Sequence, residues 1–323
     1  MTRRMIFHHP LPLFPDAASA SGIRPVQMKR AFEELGYEVW QVTGYTGERG
    51  RLAAEVRYAV RCGVRFDFCY SESSTMPMTM TNPTHLPTRP FLDLRFFRSL
   101  RRNGIPVGQF LRDIYWVFPD YRESLPFLKL RAALAAYEWD MRTLRHHVDR
   151  VFLPSLKVGE YINLGDVPIS ALEPGHGHAE PLPGPGEGVS LFYVGGIGSD
   201  YKLHELFAAV KQAWEEKSLD VRLIVCLRPE DWDAVKHEYE QWACPAIEVV
   251  HGHGNVLQEY FERTNVATIV VDLDEYWKLG VPVKLYDYIG AGKPVMVTKG
   301  SLAGDMVERM ELGWTVDNSS EAV

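Results

Sequence analysis

At 323 residues the chain is longer than one small core requires and fits two domains of ordinary size. Its 46% hydrophobic and 24% charged residues are those of a globular protein, and a formal net charge of −7 argues against a nucleic-acid binder working through bulk electrostatics. Cys62, Cys69, Cys226 and Cys244 form no CxxC pair, so buried free thiols in a reducing compartment are expected rather than a disulfide framework or a zinc site. His8, His9, Pro10 and Pro12 break the apolar run of the amino terminus, and no later run approaches the length of a spanning helix. A cytoplasmic protein is expected.

Residues 3–9 (RRMIFHH) read as a strand that leads into a loop. From Arg24 to Tyr37, apolar Val26, Met28, Ala31, Phe32 and Leu35 recur at near-helical spacing, with a stop at Gly36. Residues 37–44 alternate like a strand, 49–63 look helical, 65–73 strand-like, and 91–104 helical with a stop at Gly104. Residues 105–116 form a strand running into a loop, and 148–155 another strand. This alternation implies parallel βαβ units.

Residues 172–188 (LEPGHGHAEPLPGPGEG) are dense in Pro and Gly and supply almost no core, so they read as a linker. Beyond them, 189–198 is a strand with a Gly-rich exit and 201–217 an amphipathic helix. Strands at 221–228, 246–254 and 266–274 alternate with helices at 230–243 and 255–264. The expected architecture is α/β: two Rossmann-like, doubly wound domains, 1–171 and 189–323, facing a central cleft.

Three places in the second half suit a nucleotide. The turn VGGIGSDYK (Val194 to Lys202) follows a strand and opens a helix, where glycines let backbone amides approach a phosphate. It meets only part of G-x-G-x-x-G, because Tyr201 holds the third position, and a plain tight turn explains it equally well. Arg228 stands at the next strand exit, able to pair with a diphosphate or to serve as an ordinary loop charge. In VPVKLYDYIGAGKPVMV, a helix beginning near Pro282 presents first-turn amides and Lys284 to phosphates, and Asp287 can accept hydrogen bonds from both hydroxyls of a ribose. Gly290 and Gly292 end that helix before the next strand.

The last segment, with VVDLDEYW before it and GDMVERMELGWTV after it, resembles the nucleotide-sugar site of GT-B-fold glycosyltransferases. LFYVGGIGSDYKLHELFAAVKQAW and GNVLQEYFERTNVATIVV resemble flanking parts of the same domain, while GIRPVQMKRAFEELGYEVWQVTG and LEPG resemble the acceptor-domain loop and the interdomain crossing less specifically. The resemblance implies that Asp287 stands where the second acid of the retaining enzymes' E-x7-E motif holds the ribose. Lys284 and the backbone through Leu285 and Tyr286 would meet the diphosphate, Gly195 and Gly196 would line the donor pocket, and Arg228 would add a cation. Eight residues before Asp287 the chain has Leu279, so the motif is incomplete; Asp272, Asp274 and Glu275 are upstream acids with no spacing argument for replacing it. In the first half, Ser19 to Pro25 looks like the family's Gly loop that approaches the donor phosphates across the cleft, with Gly22 the close-approach residue and Arg24 an anion contact. C-terminal helices that cross back to the first domain are also implied, and Val323 falls where one would begin.

Arg112, Asp113, Tyr115 and Trp116 at a strand exit suit a sugar, the acid for hydroxyls and the aromatics for an apolar face; an Asp cap with core aromatics is the alternative. Asp113 is the candidate catalytic group. No donor-metal element stands in a suitable place, EPGHGHAE (173–180) being a flexible linker, so neither metal nor cofactor is expected. His8, His9, His146, His147 and His251 have no decisive partner in the sequence. Phe91, Leu94, Phe97 and Leu100 interleave with Arg95, Arg98, Arg101 and Arg102, which suits a core helix with a solvated basic face or, alternatively, an anionic membrane surface. The leading expectation is transfer of a hexose from a nucleotide diphosphate sugar, UDP-sugar favoured, to a saccharide or lipid-linked glycan. An NADP-dependent oxidoreductase and a non-catalytic nucleotide- or sugar-binding subunit are the alternatives.

Overall fold

The computed structural model describes residues 2–17, 20–175, 181–198, 201–254, 256–273, 275 and 277–323. The chain divides into two compact units, Met1–Glu173 and Pro174–Val323. In the first, β1 (Arg4–His9), α1 (Ala20–Glu34), β2 (Glu38–Thr43), α2 (Thr46–Arg61) and β3 (Phe68–Glu72) are followed by α3 (Leu92–Arg102) and β4 (Val107–Phe110). Then come α4 (Pro119–Glu123), α5 (Phe127–His147), β5 (Arg150–Leu153) and β6 (Ile169–Ala171). The strands form one parallel sheet in the order β2-β1-β3-β4-β5-β6. Central β1 is apolar on both faces, with Met5, Ile6 and Phe7 fully buried, as a strand covered by helices on either side requires.

The second unit runs β7 (Val189–Val194), α6 (His204–Glu215), β8 (Val221–Cys226), α7 (Pro229–Tyr239), β9 (Ile247–Val250) and α8 (Val256–Glu262). It continues with β10 (Val266–Ile269), α9 (Val283–Gly290), β11 (Val295–Thr298), α10 (Leu302–Arg309) and β12 (Gly313–Val316). Its parallel sheet has the order β12-β11-β10-β7-β8-β9, the doubly wound dinucleotide-binding arrangement. Strand order reverses between β7 and β10 here and between β1 and β3 in the first unit; open α/β sheets bind ligands outside the carboxyl ends of such strands.

Several local expectations are corrected. The helix expected from Arg24 begins at Ala20, so Gly22 and Arg24 lie inside α1 and not in a loop ahead of it. Of the expected linker, 176–180 lie outside the described residues, as does most of the EPGHGHAE stretch. The following residues pack on the second unit, with Leu182 N–H donating to Ala291 O at 3.0 Å and Asn265 Nδ2 to Pro185 O at 2.8 Å. Cys69 and Cys226 are buried as expected, whereas Cys62 is exposed because it caps the solvent end of α2. Burial pushes the Cys226 thiol up to about 11.

Candidate functional site

The carboxyl end of β7 delivers the chain into a left-handed turn at Gly195, φ +150°. A Cβ there would lie 2.6 Å from Lys284 Nζ, so glycine is what lets the turn approach the lysine. Lys284 comes from the first turn of α9, whose N-cap is Pro282 with no side-chain cap. Its ammonium donates to Tyr193 Oη at 3.0 Å and sits 4.1 Å from the Tyr193 ring centroid and 4.5 Å from that of Tyr201. Trp277 packs against Tyr201 with centroids 4.5 Å apart. Among the described residues no carboxylate lies within ion-pair distance of Lys284. Burial without a counter-ion lowers its pKa from 10.5 to about 7. Buried Tyr288 ties α9 to β7, its hydroxyl accepting from Val194 N–H at 3.0 Å.

The second-half residues therefore separate by role. Gly195, Gly196 and Lys284 come together; Gly196 O accepts from Tyr193 Oη at 2.7 Å, and a Cβ on Gly196 would crowd Tyr201 at 3.2 Å. The N–H of Gly195 is already given to Cys226 O at 3.1 Å, so its contribution is room rather than a donor. Leu285 corrects the expectation of a backbone phosphate contact, because its N–H donates to Pro282 O at 3.0 Å and its side chain is fully buried. The amides of Val283 and Lys284 stand ahead of it at the helix start. Tyr286 is half-buried with its hydroxyl 3.9 Å from Met306 Sδ, and Asp287 is half-buried one turn into α9. Gly292 ends the helix at φ +69°, its N–H bonded to Ile289 O and that of Lys293 to Tyr288 O. Arg228 is the exposed N-cap of α7, 3.8 Å from Asp231. Of the acids upstream, Asp272 pairs with Asn318 and lies 3.9 Å from Lys202, Glu275 pairs with Lys278 at 2.6 Å, and Asp274 lies outside the described residues.

In the first unit the reversal point between β1 and β3 carries a charged cluster that sequence reading did not single out. Glu72, the last residue of β3, is fully buried and accepts from Arg112 Nη2 at 2.8 Å. Arg24 Nε lies 3.2 Å from the same Glu72 oxygen, and the Arg24 guanidinium stacks 3.8 Å over the Phe110 ring. Burial pushes the Glu72 carboxyl up against the opposing pull of Arg24 and Arg112. Asp113 follows Arg112 and accepts from Tyr115 N–H at 3.1 Å; burial raises its pKa against that hydrogen bond and the Arg112 charge. Tyr115 remains half-buried, but Trp116 is buried and stacked on Tyr137 with centroids 4.0 Å apart, so that ring is core and not a sugar platform. Gly22 sits near the start of α1, half-buried.

The histidines are also corrected. His8 and His9 are the last residues of β1, both buried, and both have partners that the sequence does not show. His8 joins Ser71 Oγ at 2.8 Å and Asp93 Oδ1 at 2.9 Å; His9 Nδ1 lies 2.9 Å from Glu72 O, and burial lowers its pKa to about 3. Asp93 in turn takes both Arg49 Nε at 2.9 Å and Nη2 at 3.0 Å. On α3, Phe96, Phe97 and Leu100 are buried while Arg95, Arg98, Arg101 and Arg102 are exposed, a core helix with a solvated basic face. Among the described residues no helix is long and apolar enough to cross a membrane.

No protein-family model matches the chain, and no curated protein matches it. Solved structures do. A glycosyltransferase from Rickettsia africae is matched at 11% identity and TM-score 0.60, over 100% of this chain and 86% of that one. WaaG, a glycosyltransferase involved in lipopolysaccharide biosynthesis, is matched at 13% identity and TM-score 0.59, over 98% and 87%. Phytolacca americana UGT2, solved with UDP-2-fluoroglucose and pterostilbene, is matched at 9% identity and TM-score 0.50, over 99% and 87%. Against the GtfA/B complex, TM-score 0.53 and 14% identity, 85% of the chain is covered but only 50% of that chain's length. With two parallel Rossmann-like sheets and these likenesses, the chain has the GT-B fold, the fold of these glycosyltransferases.

Proposed function

We propose that the protein is a glycosyltransferase that moves a hexose from a nucleotide diphosphate sugar, UDP-linked by preference, to a saccharide or lipid-linked glycan. The observation that carries this reading is Lys284: an ammonium held by two tyrosines with no carboxylate in ion-pair distance among the described residues, beside a left-handed glycine turn and a helix start, at the reversal point of a doubly wound sheet. A diphosphate supplies the missing counter-charge, and Asp287 receives the ribose hydroxyls one turn along α9. Lys284 and the first amides of α9 then meet the charge that develops on the leaving diphosphate, so the reaction requires no metal in this reading. Asp113, held by the Tyr115 amide and raised by burial, takes the proton of the acceptor hydroxyl. The preference for UDP follows the UDP-2-fluoroglucose bound to UGT2, a likeness of fold alone at 9% identity. Residence in the cytoplasm belongs to the same reading, and contact of the α3 arginines with an anionic bilayer is tested by vesicle co-sedimentation.

A calorimetric panel of UDP, GDP, UDP-sugars and NADPH tests the proposal. One nucleoside diphosphate binds, and Asp287→Ala weakens it by about 10- to 100-fold, the worth of hydrogen bonds to a charged group. Binding of NADPH with no response to UDP or GDP contradicts it and favours an oxidoreductase.

The same titration has a pH dependence of defined sign. Above about 7 the Lys284 amine of the free protein is neutral and must take up a proton to meet the diphosphate. UDP affinity therefore falls as pH rises from 7 to 9, by up to about tenfold per unit, and Lys284→Met removes the slope. An affinity flat across that range assigns the diphosphate to other groups.

A further inference from the structure

The Glu72 cluster is not required by donor binding in the second unit, yet it occupies the ligand-binding edge of the first. Two guanidinium groups share the Glu72 carboxylate in a nearly closed site, with Asp113 the next acid along from Arg112: Glu72 is fully buried, and the Arg24 and Arg112 side chains keep only 14% and 12% of their surface exposed. Among the described residues, Arg24 Nη2 and Arg112 Nε are buried without a hydrogen-bond partner, while Arg24 Nε faces the Glu72 carboxylate at 3.2 Å. Native structures rarely leave buried donors unmade, and two on adjacent arginines leave room for an acceptor that is not part of the chain. Among the described residues Asp113 forms no ion pair with either arginine; it accepts from the Tyr115 amide. Phe110 fixes the plane of the Arg24 fork, and planar forks match the oxygens of phosphates and carboxylates.

A second observation is independent of that geometry. Residues 1–173 hold 23 Lys and Arg against 18 Asp and Glu, a formal +5, whereas residues 174–323 hold 12 against 24, a formal −12. The overall acidity of the chain thus hides a basic first unit, the sign that draws an anion to it.

We infer that the Arg24–Glu72–Arg112 cluster binds an oxyanion, and that the acceptor of the proposed transfer is an anionic sugar bearing a phosphate or a carboxylate. Glu72 holds the two forks in register from below, and the anion satisfies their remaining donors at the carboxyl ends of β3 and β4. The word acceptor rests on the glycosyltransferase reading; the anion site does not.

Calorimetry on the full chain tests it with glucose 6-phosphate, glucuronate and glucose, each with and without saturating UDP. At least one anionic sugar binds at least about tenfold more tightly than glucose and is not displaced by UDP, and Arg112→Gln weakens it by about tenfold or more. Arg112→Lys, which keeps the charge but not the fork, recovers only part of the loss. The inference is overturned if neither anionic sugar outbinds glucose, if UDP displaces it, or if folded Arg112 variants bind it as the wild type does. Should the Gln variant fail to fold, the wild-type comparison and the Lys variant decide. Anionic-sugar binding without any nucleotide binding removes the glycosyltransferase reading and leaves the site; nucleotide binding without anionic-sugar binding does the reverse.

Discussion

Asp113→Asn lowers kcat by about 100- to 10,000-fold and leaves the dissociation constant of UDP within about twofold. The substitution keeps an oxygen for the Tyr115 amide, so the turn after β4 is preserved, and removes only the ability to hold a proton. Burial raises the Asp113 carboxyl above its ordinary range, which moves it toward the pKa of an effective base while Arg112 keeps its charged form accessible. Nucleotide contacts in the second unit do not involve this residue. A kcat changed by less than about threefold would move the chemistry elsewhere; a wild type that binds nucleotide but transfers nothing would favour the binding-subunit alternative.

The largest stability effect is expected at Asp93. Asp93→Ala costs about 3–5 kcal/mol in urea unfolding at pH 7, because it leaves the fully buried Arg49 without its counter-ion. Arg49 also donates to Pro10 O and Gly44 O, each at 2.7 Å, and to Met78 O at 3.1 Å. One side chain thereby ties together the loops that leave β1, β2 and β3 at the ligand-binding edge. Asp93 carries a pH signature as well. Burial alone would raise its carboxyl, but Arg49 and His8 more than reverse this and hold it well below its ordinary 3.8. A carboxyl depressed in the folded state contributes stability above its unfolded pKa, so this contribution is lost as pH falls below about 3.8. A cost under 1 kcal/mol would mean that the three carbonyls suffice to hold Arg49.

How much of this was legible depends on the range over which each feature is encoded. Strand and helix periodicity is local, and the second half reads in order because its helices and strands are short and punctuated by Gly and Pro. The 21-residue α5 escaped, since it opens on exposed Phe127 and Leu128 and shows no clean apolar stripe; the three-residue β6 is too short to carry a pattern. The helix α1 was placed four residues late because Ser21 and Gly22 are poor helix formers. The position of Lys284 and Asp287 at the start of a helix was legible from Pro282 and the Gly stop after it. The family resemblance put Gly195 and Lys284 around one pocket, but only the fold shows that they touch. Glu72 lies unmarked within the strand-like 65–73 stretch, although an acid ending a strand at the carboxyl edge is a usable signal. Arg49 and Asp93 offered none, being ordinary charges within two helices until the fold brings them together.

A crystal structure of the full chain with UDP tests the central claim most directly. The account predicts diphosphate oxygens within hydrogen-bond distance of Lys284 Nζ and the first amides of α9, over the Gly195 turn, with the ribose hydroxyls on Asp287. A diphosphate bound elsewhere, with Lys284 still resting on Tyr193 and Tyr201 and no ligand density beside it, would contradict it.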